Sequence, residues 1–437
     1  MRGSPPSRRQ LLAAAGVGGL GVAGLTGGPP LVQRVRGSQY SHTDLYAQTV
    51  AFTDWDQRVE VSDDEVGRLI PGSRVLDGQP ASAGLLAAED RWLAACAPWV
   101  HIADEYSDLL RGALLDVRVL SVGLPAPVAG WSPRWRYVWP RDTTHIALAL
   151  AAAGHPGAGW DALRFLAGVQ REDGWFEARY DPATRRRPDG RERQLDGTGW
   201  VLWALAGMYD LDPAGPAASG AADAEFVLLA RRSVDLILGG LRRGMPPKSP
   251  DYWEVGASRV TVGTIAPLLA GLEAAGRLPA AYGRDDRLPG AIDQMRAALE
   301  RQFGRRGYPR DAVSGPDAAT CFLGPPHLLT PARGAEAALT AYEHQARRPA
   351  GGLAPGASWR DDGVSWTPMV ALTAQVHACA GRTDRAAAAL RWLAAHRTEA
   401  GSLPEKVLWD GTPAAVAPLA WTASAVIRAV HALRVSR

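Results

Sequence analysis

The chain has 437 residues, a near-neutral formal charge of +3 and 46% hydrophobic residues, which is enough to bury a large core. Its arginines are scattered rather than gathered into a basic stripe, so nucleic acid is not an expected partner. Sixteen tryptophans stand against six phenylalanines. A flat ring with an N–H donor suits a carbohydrate cleft better than a generic interior.

The first element reads as an export signal. Ser7-Arg8-Arg9-Gln10-Leu11-Leu12 precedes a small-residue apolar run from Ala13 to Leu25, the twin-arginine pattern with a weakly hydrophobic core. The run is shorter than the ~20 residues a membrane span needs. Residues 1–29 are therefore assigned to a signal with no stable span. The protein is expected outside the cell or on its envelope. No cysteine follows for lipid attachment, and no clean Ala-x-Ala cleavage site is visible.

Residues 30–80 show no helical period. Thr43 to Val61 alternate loosely, and Pro71-Gly72 and Asp77-Gly78 mark turns. This predicts a short irregular arm or hairpin, too small for a separate sandwich domain.

From residue 81 to 437 the pattern is all-α. Ala and Leu recur at helical spacing between Gly/Pro loops. Helices are predicted near 82–97, 143–154, 160–171, 197–209, 224–240, 261–275, 288–303, 334–346, 366–381, 384–396 and 416–434. In the last, Leu419, Ala423, Val426, Val430 and Leu433 form one apolar stripe, and Leu163, Leu166 and Val169 do the same earlier. Cys96, Cys321 and Cys379 are dispersed, without disulfide or metal-ligand spacing, and read as small buried hydrophobes. That suits folding before export.

Aromatic, polar loops precede alternate helices. They are Trp139-Pro140-Arg141-Asp142, Gln194-Leu195-Asp196, Asp251-Tyr252-Trp253-Glu254, the Trp359–Trp366 segment, and Ser402-Leu403-Pro404-Glu405-Lys406-Val407. Such alternation is what a ring of inner and outer helices requires, with the loops feeding the inner helices lining one pocket. A helical solenoid would instead repeat every ~20–50 residues, and no such period is visible.

A lone loop glutamate is ordinarily just solvated. Glu254 and Glu405, each in an aromatic or proline-rich loop ahead of a helix, point instead to paired carboxylates working on a glycosidic bond. One donates a proton to the leaving oxygen and the other activates water. The acid must carry its proton near neutrality, which apolar surroundings promote. Glu254, flanked by Tyr252, Trp253 and Val255, fits the acid; Glu405, with Lys406 beside it and Asp410 nearby, fits the base.

Arg141 and Asp142 suit gripping sugar hydroxyls, although Asp142 could equally cap the helix it opens, and so could Asp196. Trp139, Trp253 and Trp366 offer stacking surfaces. Asp173-Gly174-Trp175-Phe176 and Arg179-Tyr180-Asp181 form another aromatic-polar loop on the expected rim, with Asp361 and Asp362 weaker candidates. His145 and His377 read as core or surface histidines. No metal-ligand set, phosphate loop or nucleophile elbow is present.

At these residues the chain resembles glycoside hydrolase family 15, the glucoamylase family. The likeness rests on Trp135–Asp142, on Phe165-Leu166 through Phe176, and on Gln194–Gly199. It continues with Asp251–Glu254, Ser365–Pro368, Gly401–Val407 and Ala417–Thr422, in that order.

The resemblance implies an (α/α)6 barrel, a six-hairpin toroid, releasing β-glucose from non-reducing ends with inversion and no cofactor. It implies Glu254 as general acid, Glu405 as general base, and Arg141 with Asp142 as the grip on the terminal glucose. Departures exist. The arm leaves no room for the N-terminal β-sandwich of many bacterial members, and no starch-binding module follows Arg437. Val255 replaces a second glutamate that in some members contacts the next sugar. Raw starch is thus not the expected substrate, while maltooligosaccharides, isomalto-linked glucans, trehalose or a rarer α-glycoside all fit.

Three other functions compete. A sugar-binding protein without turnover would not need both glutamates. A lyase on a similar toroid would favour a basic cleft, and a phosphorylase would need an anion site in place of Glu405.

Overall fold

In a computed structural model the described residues are 40–216 and 224–435, and they form one compact unit. The predicted signal at 1–29 lies outside them. The arm begins with a hairpin, β1 (Thr49–Phe52) antiparallel to β2 (Arg58–Val61). The helices are α1 (Ser82–Ala94), α2 (Ser107–Val119), α3 (Pro140–Ala152), α4 (Pro156–Val169), α5 (Asp196–Leu211), α6 (Ala224–Gly240) and α7 (Val262–Ala275). They continue as α8 (Leu288–Gln302), α9 (Ala335–Gln345), α10 (Thr367–Cys379), α11 (Thr383–Ala395) and α12 (Ala420–Val435). Among the described residues no helix is long and apolar enough to cross a membrane.

The helices sort by how much of their circumference is apolar. Every residue of α3 is buried, and α5, α7, α10 and α12 are buried nearly all round. By contrast α4 buries a stripe through Trp160, Leu163, Phe165 and Leu166, and α6, α8 and α11 likewise show one buried face. A helix apolar on all sides belongs inside, and one with a single stripe belongs outside.

Packing follows the same division. Neighbours run α3 to α5, α5 to α7, α7 to the 3-10 segment Ala318–Leu323, then to α10, to α12, and from α12 to α3. Close approach of α5 and α7 depends on glycine: a Cβ at Gly199 would overlap the Pro267 carbonyl, and one at Gly271 would lie 2.6 Å from the Gly199 oxygen. Inside, Trp200 is fully buried against Phe322, Trp203, His145 and His327. Burying a large apolar side chain contributes roughly 1.5–3 kcal/mol.

Two differences from the all-α expectation matter. Helix α2 was not predicted, because Asp116 and Arg118 occupy buried positions on it and interrupt its apolar stripe. A small sheet of β3 (Ser365–Trp366), β4 (Lys406–Val407) and β5 (Pro413–Ala414) lies in the loops ahead of α10 and α12. Its two-residue strands are too short to give any sequence period. Consequently Glu405 does not lead directly into a helix, since the β4–β5 hairpin separates it from α12. Nor does Glu254, since α7 begins only at Val262.

Candidate active site

The site is built on the segment from Trp135 into α3. Pro140 suits the first turn of a helix, where its missing N–H costs nothing. Trp139 is the N-cap, so Asp142 lies inside the first turn and is not the cap that its sequence position allowed. Arg179 stacks over Tyr137 (4.3 Å) and Trp139 (5.0 Å), fixing this segment from the side. Two indoles of the segment then reach two different carboxylates. Trp139 Nε1 donates to Glu254 Oε1 at 2.6 Å, and Trp135 Nε1 donates to Glu405 Oε1 at 3.3 Å.

Glu254 adopts φ +53°, a left-handed conformation that costs a non-glycine residue about 1–3 kcal/mol. A tight turn holds it there, with its N–H on the Asp251 carbonyl at 2.7 Å. Asp251 anchors that turn while fully buried. It accepts from Trp253 N (3.0 Å), Arg310 Nη2 (2.7 Å) and Thr261 Oγ1 (2.6 Å). Tyr252 donates its hydroxyl to buried Asp317.

The surroundings of Glu254 are not the apolar ones its sequence neighbours suggested. Val255 is exposed and turned to solvent, while Trp139, Arg141 and Arg191 close on the carboxylate. From this left-handed turn the Glu254 side chain meets groups of other segments rather than its chain neighbours.

Arg141 lies at the centre of a buried charge cluster. Its guanidinium is 3.3 Å from Asp142, 3.6 Å from Asp196 and 3.6 Å from Glu254, and it faces the Trp421 ring at 4.9 Å. Burial pushes the Asp142 carboxyl up to about 6 against the pull of Arg141. It pushes Asp196 to about 7, where Arg141 lowers and Asp251 raises it. Burial also opposes the charge on Arg141, but Asp142, Asp196 and Glu254 outweigh it and hold the guanidinium above its usual range.

Asp196 is the first residue of α5 and accepts from Gly197 N at 2.9 Å, so it both starts the helix and faces Arg141. Two buried atoms here, Arg141 Nε and Asp142 Oδ2, make no aligned hydrogen bond within the protein. Buried polar groups are normally satisfied, and a sugar hydroxyl has both the donor and the acceptor they lack.

Glu405 is held by backbone on both sides. Its N–H donates to Val416 O at 2.8 Å, and its carbonyl accepts from Thr367 N at 3.1 Å. Lys406 Nζ lies 3.2 Å from Glu405 Oε2 and 4.5 Å from the centre of the Trp366 ring. Asp410 does not join them; it accepts from Thr412 N at 3.0 Å and caps the β4–β5 turn. Beyond Trp366 the aromatic wall continues edge to face, with Trp359 at 5.6 Å and then Trp253 at 4.7 Å from Trp359. Arg310 stacks on Trp253 at 3.9 Å.

Several named residues have other work. His145 is buried, its Nδ1 bonded to Arg141 O at 2.9 Å, and burial drives its pKa down to about 3. His377 pairs with Glu343 at 2.9 Å. Asp181 accepts from Ala183 and Thr184 within its own turn, and Asp362 accepts from Val364 N. Asp361 is exposed, and no contact draws it to the glutamates. Among the described residues no three His, Cys, Asp or Glu side chains gather as a metal site would require.

Sequence reasoning passed over Arg191, Arg310 and Asp317. Arg310 carried a signal, for Tyr308-Pro309-Arg310-Asp311 repeats the aromatic-Pro-Arg-Asp order of Trp139–Asp142. Arg191 carried none, being one of many arginines between 179 and 193.

No protein-family model matches the sequence, and no curated protein is similar to it. Solved structures do share its fold. A wild-type glycosidase matches with TM-score 0.64 and 19% identity, over 76% of this chain and 99% of its own. A glycosidase variant matching as well was solved with glucose. A bacterial glucoamylase complexed with acarbose matches at 0.61 and 16%, over 86% of this chain and 62% of that one. The glucoamylase of Saccharomycopsis fibuligera gives 0.59 and 12%, over 80% and 96%. The chain is therefore a mostly helical protein with the six-hairpin glycosidase-like fold.

Proposed function

We propose that the chain is an inverting, exo-acting glycoside hydrolase that removes terminal glucose from α-glucosides or α-glucans, on a closed (α/α)6 toroid. One observation carries the reading. Trp135 and Trp139, on one short segment, donate to Glu405 and Glu254 respectively, so one stretch of chain is hydrogen-bonded to two carboxylates distant in sequence.

In this mechanism Glu254 gives its proton to the leaving oxygen as the C1–O bond breaks. Glu405 takes a proton from the water whose oxygen bonds to C1 from the opposite face. Arg141 and Asp142 hold hydroxyls of the terminal sugar, supported by Asp196, and Trp139, Trp253 and Trp366 supply ring surfaces. No step requires a cofactor. The ring of neighbours from α3 through α12 and back to α3 supports the toroid.

The test is a screen of maltose, isomaltose, nigerose and trehalose, with the anomer of the first-released glucose read by NMR. Fresh β-glucose from at least one α-linked substrate is the expected result. Release of the non-reducing glucose as the α-anomer, or from trehalose of α-glucose alone, would remove the inverting mechanism, and no hydrolysis of any α-glucoside would remove the hydrolase reading.

A further inference from the structure

A general acid needs one carboxyl oxygen directed at the leaving oxygen and carrying the proton. In Glu254 neither oxygen is free for that. Oε1 accepts from Trp139 Nε1 at 2.6 Å, and Arg191 Nη1 closes on Oε2 as a charge-assisted hydrogen bond. The Arg191 guanidinium therefore occupies the place at Oε2 that a leaving oxygen would take. Arg191 comes from the loop ahead of α5 and is 40% exposed, whereas Arg141, which also faces Glu254, is only 6% exposed, so Arg191 lies on the solvent-facing side of the carboxylate. A group that meets Arg191 is thus on the leaving side of the scissile bond.

Arg191 is also positioned from behind. Its Nε lies 3.3 Å from Asp189 Oδ2, and Asp189 is held by Arg179 Nη2 at 2.6 Å and by Arg191 N at 3.3 Å. Burial works against the Asp189 carboxylate, yet the Arg179 and Arg191 contacts hold it below the usual carboxylate range. With Nε kept by Asp189, the Nη edge can leave Glu254 and still face the mouth. That edge is a planar fork matched to a carboxylate or phosphate. The neighbouring arginines are already engaged: Arg179 with Asp189 and Arg193 with Asp173 and Glu177. Val255, beside Glu254 and 47% exposed, brings no charge to oppose an anion there.

We infer that the leaving group of the substrate carries an oxyanion, a carboxylate or phosphate, which draws Arg191 off Glu254 and so frees Oε2 to act as the acid. The inference rests on the hydrolase reading above and adds the substrate class to it. Once Arg191 turns to the substrate's oxyanion, Oε2 takes up a proton from solvent, and that proton passes to the leaving oxygen as C1–O breaks. The water oxygen bonds to C1 and its proton goes to Glu405. Neutral leaving groups must displace Arg191 without offering it a partner.

The test compares maltobionate with maltitol, whose leaving groups are both open-chain and differ in a carboxylate. The full chain should show kcat/KM about 10- to 100-fold higher for maltobionate, the usual worth of one charged hydrogen bond. Arg191→Ala should lower the value for maltobionate, raise it for maltitol and bring the ratio near one, while Arg191→Lys should keep part of it. Phosphate-bearing substrates are probed with 3-phosphonophenyl against 3-carbamoylphenyl α-glucoside, and the same preference there assigns the site to oxyanions in general.

Equal efficiency on charged and neutral members of both pairs, or a preference that survives in Arg191→Ala, would overturn the inference and leave the hydrolase reading standing. So would acceleration of maltitol hydrolysis by free inorganic phosphate to the maltobionate rate. A chain that cleaves none of these nor any other α-glucoside overturns both.

Discussion

Asp116, on helix α2, accepts from Ser402 Oγ at 2.6 Å and from Leu403 N at 3.0 Å, a short step before Glu405. The same carboxylate is paired with Arg74 of the arm at 2.8 Å, and all three side chains are buried. The position of Glu405 is thereby referred to a rigid point outside the mouth. Asp116→Asn leaves Arg74 as an uncompensated buried charge and should cost about 3–5 kcal/mol of stability. Ser402→Ala removes the bond to that carboxylate together with those to Arg74 Nη2 (3.0 Å) and Thr49 Oγ1 (2.6 Å), and should cost about 1–3 kcal/mol. Urea denaturation measures both, and kcat should fall in Ser402→Ala at unchanged expression if the anchor sets the Glu405 loop.

The two glutamates separate by substrate. Glu254→Gln removes the proton donor, so activity should collapse on maltose-like substrates with poor leaving groups and survive better on glucosyl fluoride. Glu405→Gln leaves attack on the anomeric carbon unassisted and should depress both alike. Acid–base assistance is worth ~10²–10⁴-fold, so rates on the two substrates resolve the roles. A reversed pattern would exchange them.

Core histidines give a pH-dependent stability. His145 titrates near 3 in the fold because burial disfavours its charged form, against 6.5 in the unfolded chain. The unfolded state therefore takes up a proton first, and the stability from keeping His145 neutral is full above pH 6.5 and lost as pH falls toward 3. His145→Asn should be destabilised relative to the parent at pH 7.5. That deficit should shrink between pH 6.5 and 4, by at most about 1.4 kcal/mol per pH unit. Thermal melts across this range would show it, and a pH-independent deficit would contradict it.

Export makes a separate prediction. Replacing Arg8 and Arg9 together with lysine should retain the protein in the cytoplasm, as read by fractionation of a producing culture. Unchanged secretion would mean that another signal is at work.

The inner helices were legible because burial on all sides leaves an unbroken Ala/Leu run, as in α3, with Pro140 marking its start. Helix α2 was not, because its buried Asp116 and Arg118 read locally as surface charges; their partners, Arg74, Ser402 and Glu89, are remote in sequence. The loops of the site announced themselves through their aromatics, yet what each carboxylate touches did not. Glu254 looked apolar in its chain neighbours and meets guanidiniums in space, because a left-handed backbone turns it away from Val255. Asp142 and Asp196 looked like caps; only the fold brings both onto Arg141.

The junction of Arg74, Asp116 and Ser402 also fixes an order of events during synthesis. Arg74 and Asp116 leave the ribosome early, whereas Ser402 and the Leu403 amide arrive after nearly all the rest of the chain, across 286 and 287 positions. Closing so long a loop is slow relative to local helix formation. The Glu405 loop is thus among the last parts to settle, and a nascent chain cut short of it has helices but no completed mouth.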